Sequence, residues 1–158
     1  MSQADSEMSG YAALTRATML PEGWIYTSIG DVTSKCEQRK PADDEEFIYV
    51  DIGSIDRELK CISEPQHLNG KDAPSRARKI INTGDVLVSL TRPNLNAVAL
   101  VTADFDDQIA STGFEVIKPV NVNSKYIFGV VRSREFILTV RSILHPVHEI
   151  MANYSNLP

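Results

Sequence analysis

The sequence lacks most of what marks an exported, membrane-bound or metal-dependent protein. It has two cysteines, Cys36 and Cys61, far apart and with no Cys-x-x-Cys spacing. In a reducing compartment these are expected as free, partly buried thiols rather than a disulfide or a zinc site. No apolar run approaches the roughly 20 residues of a membrane span, and the polar N-terminus has no signal-peptide core. A cytoplasmic protein with no membrane partner is the expectation. A Gly-rich phosphate loop and a nucleophile elbow are both missing, as is any motif of an S-adenosylmethionine pocket. No catalytic residue, cofactor or metal is therefore expected. His145 and His148, with Glu149, make the one candidate metal pair, but Pro146 breaks helical spacing and no third ligand is evident. Asp85, Glu115 and Lys118 approach a nuclease pattern. That pattern needs its acid and lysine two apart on a strand, whereas three apart they point to opposite faces.

Net basic charge is missing as well. The chain carries −5 at pH 7, which argues against indiscriminate binding of nucleic acid. The charge is uneven, however: residues 1–56 carry −7, residues 57–97 carry +3 and residues 98–158 carry −1. A basic middle in an acidic protein suits selective binding of an anion, or a domain that borrows cationic surface from a partner. Ordinary scatter of surface charge is the alternative.

What is present fits one domain. With 158 residues, 42% hydrophobic and 23% charged, the composition is globular and long enough for a core. Residues 1–19 read as a loose leader, and residues 20–158 as a single domain beginning at Leu20-Pro21-Glu22-Gly23-Trp24. The β-branched and aromatic run Ile25–Ile29 predicts a strand, and Asp31 is placed to cap a short helix over Val32–Cys36. The acidic run 40–46 reads as a solvated loop, followed by a strand over Phe47–Ile52. Residues 53–75 form a long polar stretch with Pro65, Gly70 and Pro74, of the kind that is functional or mobile. Strands are expected at Ala77–Ile81, Val86–Leu90, Ala97–Val101, Ile109–Ala110 and Phe114–Ile117, with a turn at Thr83-Gly84-Asp85. Ser124 and Ser133 are placed to cap two helices, over 125–132 and 134–143. The fold class is α+β: a strand-rich twisted sheet domain with short helices packed at its C-terminal end.

Several segments then resemble one family in order. Leu20-Pro21-Glu22-Gly23-Trp24 with Ile29-Gly30-Asp31-Val32 is similar to the opening of a target-recognition domain from the specificity subunit of type I restriction-modification enzymes. The likeness continues in Tyr49-Val50-Asp51-Ile52 and Pro74-Ser75-Arg76-Ala77-Arg78. It is densest in Gly84-Asp85-Val86-Leu87-Val88-Ser89-Leu90-Thr91-Arg92-Pro93 and in the run from Ala110 to Pro119. Tyr126-Ile127-Phe128 and Ser133-Arg134-Glu135-Phe136 resemble the closing helices. The resemblance covers residues 20–144 and implies sequence-specific recognition of double-stranded DNA without catalysis. It implies partners that do the chemistry, a methyltransferase subunit and a motor-nuclease subunit. Such a subunit normally has two recognition domains, each followed by a proline-rich segment and a spacer helix. This sequence stops at Tyr154-Ser155-Asn156-Leu157-Pro158, so a fragment, or a half-subunit that pairs with a second one, is expected. The alternative is a protein-interaction module that docks a methyltransferase subunit and has little DNA affinity alone.

The residues expected to meet DNA each have a plainer reading. Arg92 precedes Pro93, stays extended, and can present its planar fork to guanine or to phosphate; the alternative is a salt bridge to Asp85 or Asp51. Asn94 and Asn96 can read adenine, yet Asn also suits left-handed turn geometry. Arg76, Arg78 and Lys79, with Lys71 upstream, form the densest cationic cluster. On a strand Arg76 and Arg78 share a face, which favours phosphate over a merely solvated surface. Ser111 and Thr112, with Gly113, either hold a phosphate or simply turn the chain. Within 53–75, Asp56, Arg57, Lys60, Gln66, His67 and Asn69 offer varied hydrogen-bonding groups for base selection.

Overall fold

The computed structural model describes residues 21–25, 27–91 and 95–144. The expected leader, Leu20, Tyr26, the Arg92-Pro93-Asn94 corner and the His145–Glu149 pair lie outside the described residues.

Ten strands are described: β1 (Thr33–Ser34), β2 (Glu46–Val50), β3 (Ile55–Asp56), β4 (Cys61–Ile62), β5 (Gln66–Asn69), β6 (Ala77–Ile81), β7 (Val86–Ser89), β8 (Val98–Leu100), β9 (Gln108–Ser111) and β10 (Phe114–Pro119). Two helices follow, α1 (Ser124–Val131) and α2 (Arg134–Leu144). One sheet has the order β1-β10-β7-β8 and is antiparallel throughout. The other has the order β5-β2-β9-β6, with β2 and β9 parallel. β3 and β4 form a separate hairpin. The architecture is the expected α+β one, rich in strands with two short helices at the C-terminal end.

The sheet containing β7 is the middle layer. Leu87 joins Val50, Ile81, Ala110, Phe114 and Val116 in a core between the two sheets. Its neighbours Val86 and Val88 point the other way and pack with Val98, Ile117, Ile127 and Val131 under the helices. A strand covered on both faces needs apolar residues at every position rather than alternation, which is why Val86-Leu87-Val88 reads as one run. Full burial of each such side chain stabilises the fold by about 1.5–3 kcal/mol. On the outer face of the second sheet, Phe47, Tyr49, Ala77 and Ile109 form a third cluster.

Five local expectations are corrected. The described residues of Ile25–Ile29 form no strand: Ile29 belongs to a 3-10 turn, Ile29–Val32, capped by Ser28, whose hydroxyl accepts from the Asp31 amide at 3.2 Å. No helix forms over Val32–Cys36 either, because Thr33–Ser34 is drawn into pairing with β10. In the acidic run 40–46, Pro41 is buried and Glu45 is held in a fork by Arg39, at 2.5 and 2.7 Å. Residues 53–75 are not one irregular loop but hold β3, β4, β5 and two 3-10 turns. At the C-terminal end, Asn123 rather than Ser124 caps α1, accepting from the Lys125 amide at 2.8 Å. Ser133 caps α2 as expected, accepting from the Phe136 amide at 3.2 Å.

Candidate nucleic-acid interface

The strand registers bring the ends of β2, β7 and β9 and the starts of β6, β8 and β10 to one edge of the molecule. Val50 lies beside Ala110, Ala77 beside Ser111, Phe114 beside Ser89, and Val88 beside Val98. Segments 51–66, 74–76, 111–113 and the described parts of 89–97 therefore all emerge on that edge. They are tied together there. The Leu90 amide donates to the Gly113 carbonyl at 3.0 Å, and the Thr112 amide to the Arg76 carbonyl at 2.9 Å. The Ser63 amide donates to the Ser54 carbonyl at 2.9 Å. The Lys60 ammonium donates to the Asn96 carbonyl at 2.7 Å. Gly113 is packed so closely that a Cβ there would lie 3.0 Å from Ile52 Cδ1. Loops fixed by backbone bonds to a two-sheet scaffold can present side chains in set positions, as a recognition surface requires.

Asp51 and Asp56 on this edge are held by hydrogen bonds within the chain, whereas Glu58 and Glu64 are exposed. Asp51 Oδ1 accepts from the amide and hydroxyl of Ser54, each at 3.0 Å, and Asp51 Oδ2 from the Gln66 side chain at 3.0 Å. Asp56 Oδ1 accepts from the amides of Glu58 and Leu59 at 2.9 and 2.8 Å. The cations are different. Among the described residues, Arg57, Lys60, Arg76, Arg78 and Arg132 make no ion pair. Lys60 is half-buried. Burial, and secondarily the Arg132 charge, push its ammonium below the usual lysine range. Cations without carboxylate partners among the described residues favour an anionic ligand.

The expected site residues fall into three groups. Arg76 and Thr112 are exposed on the edge and joined through the backbone bond above. Asn96 is also there, half-buried at φ +46°, so its left-handed turn geometry is real. Its Oδ1 is buried without a partner among the described residues. Ser111 is on the edge but buried, its hydroxyl accepting from the Gly113 amide at 3.1 Å, which makes it a turn-former.

Other candidates are placed elsewhere. Arg76 and Arg78 do not share a strand face, because Arg76 precedes β6 and the register slips between Ala77 and Lys79. That bulge re-aims the chain: Ala77 packs in the outer cluster while Ile81 faces the core between the sheets. Arg78 is half-buried and donates to the Ala77 carbonyl at 2.7 Å. Lys79 is turned inward, 9% exposed, donating to the Phe114 carbonyl at 2.6 Å and pairing with Glu115 at 3.2 Å. It bridges the two sheets, so the picture of a cationic cluster without acids does not hold for it. Lys71 follows β5, whose far end pairs with the start of β2, and its amide meets the Asp43 carbonyl. It lies at the opposite edge. Arg92 and Asn94 lie outside the described residues. Of the acids proposed for Arg92, Asp85 is taken by Lys118 and Asp51 by its cap.

Arg132 was not anticipated. It caps the end of α1 with its guanidinium 4.9 Å over the Phe128 ring, and α1 packs on β8, with the Arg132 charge acting on Lys60. The nuclease pattern dissolves, since Lys118 pairs with Asp85 while Glu115 pairs with Lys79. Among the described residues no three His, Cys, Asp or Glu groups cluster to hold a metal, and no helix is long and apolar enough to cross a membrane. Cys36 and Cys61 are both free and half-buried.

No family model matches the chain. It is 30% identical over 118 residues to the type I restriction enzyme HindI specificity subunit of Haemophilus influenzae, covering 71% of this chain and 25% of that protein. The HsdS subunit from Thermoanaerobacter tengcongensis superposes with a TM-score of 0.70 and 42% identity, over 73% of this chain and 31% of that one. A chain from a structure concerned with complex assembly and conformational transition of the type I R-M system gives a TM-score of 0.75 and 39% identity. It covers 79% of this chain and 33% of that one. The chain thus spans a quarter to a third of the length of these relatives.

Proposed function

With type I restriction enzyme specificity subunits as its homologues, we propose that this chain is a DNA target-recognition domain, a non-catalytic reader that directs partner subunits to a short duplex sequence. The observation that carries the reading is the loop edge. Four segments, cross-linked by hydrogen bonds, hold Arg57, Lys60 and Arg76, and Arg132 at the end of α1 acts on Lys60; none of these cations has a carboxylate partner among the described residues. Arg57 and Arg76 are exposed and suit phosphate contact, while Thr112, Asn96 and, beyond the described residues, Arg92 and Asn94 suit contact with base edges. The partners are double-stranded DNA, a methyltransferase subunit, a motor-nuclease subunit and a second half-subunit, in the cytoplasm. Residues 20–158 act as one recognition unit behind the leader 1–19.

The test is selection from a random duplex library, with and without a cognate methyltransferase subunit. Recovery of one preferred sequence supports the reading, and recovery of none in either arm removes it.

A second reading has its own observation. Trp24 and Tyr126 meet edge to face, ring centroids 6.0 Å apart, while 56% and 52% exposed, and Ile25 beside them is 80% exposed. Such an apolar patch suits a protein partner. Co-purification with a methyltransferase subunit at high salt, without a gel shift on random duplex, would favour a docking module over a reader.

A further inference from the structure

The β3–β4 hairpin ends in Arg57-Glu58-Leu59-Lys60, and Leu59 stands 75% exposed at its tip. A single exposed leucine is ordinary. A flexible tip would let such a side chain fold down against its neighbours, but this tip is fixed from three directions. Asp56 Oδ1 accepts from the amides of both Glu58 and Leu59. The Lys60 amide closes the turn onto the Asp56 carbonyl at 2.8 Å, with Lys60 in left-handed geometry at φ +57°. The Lys60 side chain reaches across to the Asn96 carbonyl at 2.7 Å, tying the hairpin to the foot of the 89–97 loop. At its root Ile55 is buried in the core between the sheets and Ile62 packs against it. The hairpin therefore carries an apolar side chain on a fixed backbone, on the same edge as the cations.

We infer that the β3–β4 hairpin enters the DNA major groove and that Leu59 reads the C5-methyl group of a thymine in the recognised sequence. This rests on the recognition reading above. The major groove, about 12 Å wide, admits a two-stranded ribbon without distortion, whereas the minor groove, about 6 Å wide, must be opened to take one. In the major groove the thymine methyl is the apolar feature a leucine can distinguish, every other recognition group there being a hydrogen-bond donor or acceptor. Arg57, exposed in the turn at the tip, and Arg132, exposed at the end of α1, are placed to meet the phosphates on either side.

The experiment uses the full chain, in whichever form selects a sequence. Each thymine of the selected duplex is replaced in turn by uracil, which keeps every hydrogen-bonding group and removes only the methyl. Affinities are compared for the wild type and Leu59→Ala at fixed salt. At one position, uracil should weaken wild-type binding about fourfold, the worth of one buried methyl-sized group. In Leu59→Ala that penalty should vanish while penalties at other thymines persist. Unchanged far-ultraviolet circular dichroism shows that the exposed substitution leaves the fold intact. Leu59→Met, which keeps apolar reach, should retain the penalty. A uracil penalty of full size in Leu59→Ala overturns the inference, as does a wild type indifferent to uracil everywhere. Failure of the wild type to select any sequence is a different result: it removes the recognition reading, and this inference with it.

Discussion

The Lys118 ammonium lies 2.5 Å from Asp85 Oδ2, with the two side chains 14% and 8% exposed. The same carboxylate accepts from the Asn82 amide at 2.8 Å, and Lys118 also reaches Asn82 Oδ1 at 3.0 Å. The pair closes the turn before β7 against the end of β10, at the edge away from the recognition loops. It is therefore structural. Lys118→Met should leave a buried carboxylate without its counter-ion and lower unfolding free energy by about 3–5 kcal/mol in urea titrations. DNA affinity of the folded fraction should not change.

Gly70 is required for close approach rather than for unusual torsions. A Cβ at this position would sit 1.7 Å from the Ala42 carbonyl oxygen and 2.6 Å from its carbon, both backbone atoms that cannot swing aside. Gly70→Ala should destabilise by about 3 kcal/mol or more, read from the urea midpoint. The same change at Gly129, with nothing within 4 Å, should stabilise α1 by up to about 1 kcal/mol.

Acid should weaken the fold through Glu45. The Arg39 guanidinium beside it holds its carboxyl below the ordinary value of 4.5, and Asp106, bonded to the amide and hydroxyl of Thr83, is lowered in the same way. A carboxylate whose folded pKa is depressed contributes stability that is present above its unfolded pKa and lost as pH falls through the folded value. Stability measured from pH 7 down to pH 3 should therefore decline below about pH 4.5, and Glu45→Gln should flatten that decline.

The cations of the loop edge should separate from those elsewhere. Arg57→Ala and Arg76→Ala should each weaken binding to all duplexes alike and reduce the salt slope by about 1. Lys71→Ala, at the opposite edge, should change neither. Arg92→Ala should instead cost about 1–3 kcal/mol and relax preference at one position, checked by repeating the selection with the variant.

How far the sequence carries can be argued from particular residues. Val86-Leu87-Val88 was legible because a doubly covered strand leaves an unbroken apolar run. Ile25–Ile29 misled because strand propensity expresses pairing and burial, and Ile25, 80% exposed, has neither. The two-residue strands β3 and β4 leave no periodic signal, so the segment 53–75 read as loop. Lys79 shows the deeper limit: its partners are 35 and 36 residues away, and a bulge at Arg78 decides which way it points. The resemblance pointed to the specificity subunits that the chain is similar to. It did not reveal which of its arginines and lysines face outward.

The central claim is that the loop edge reads duplex DNA, and the most direct measurement is the ratio of affinities for the selected duplex and a scrambled one. It should be taken at physiological salt for the wild type and for the double variant Arg57→Ala, Arg76→Ala. The account predicts a wild-type ratio of about 1,000 or more, with both affinities lowered and the ratio largely kept in the double variant. Equal affinity for the two duplexes, or a double variant that binds both as tightly as the wild type, would contradict it.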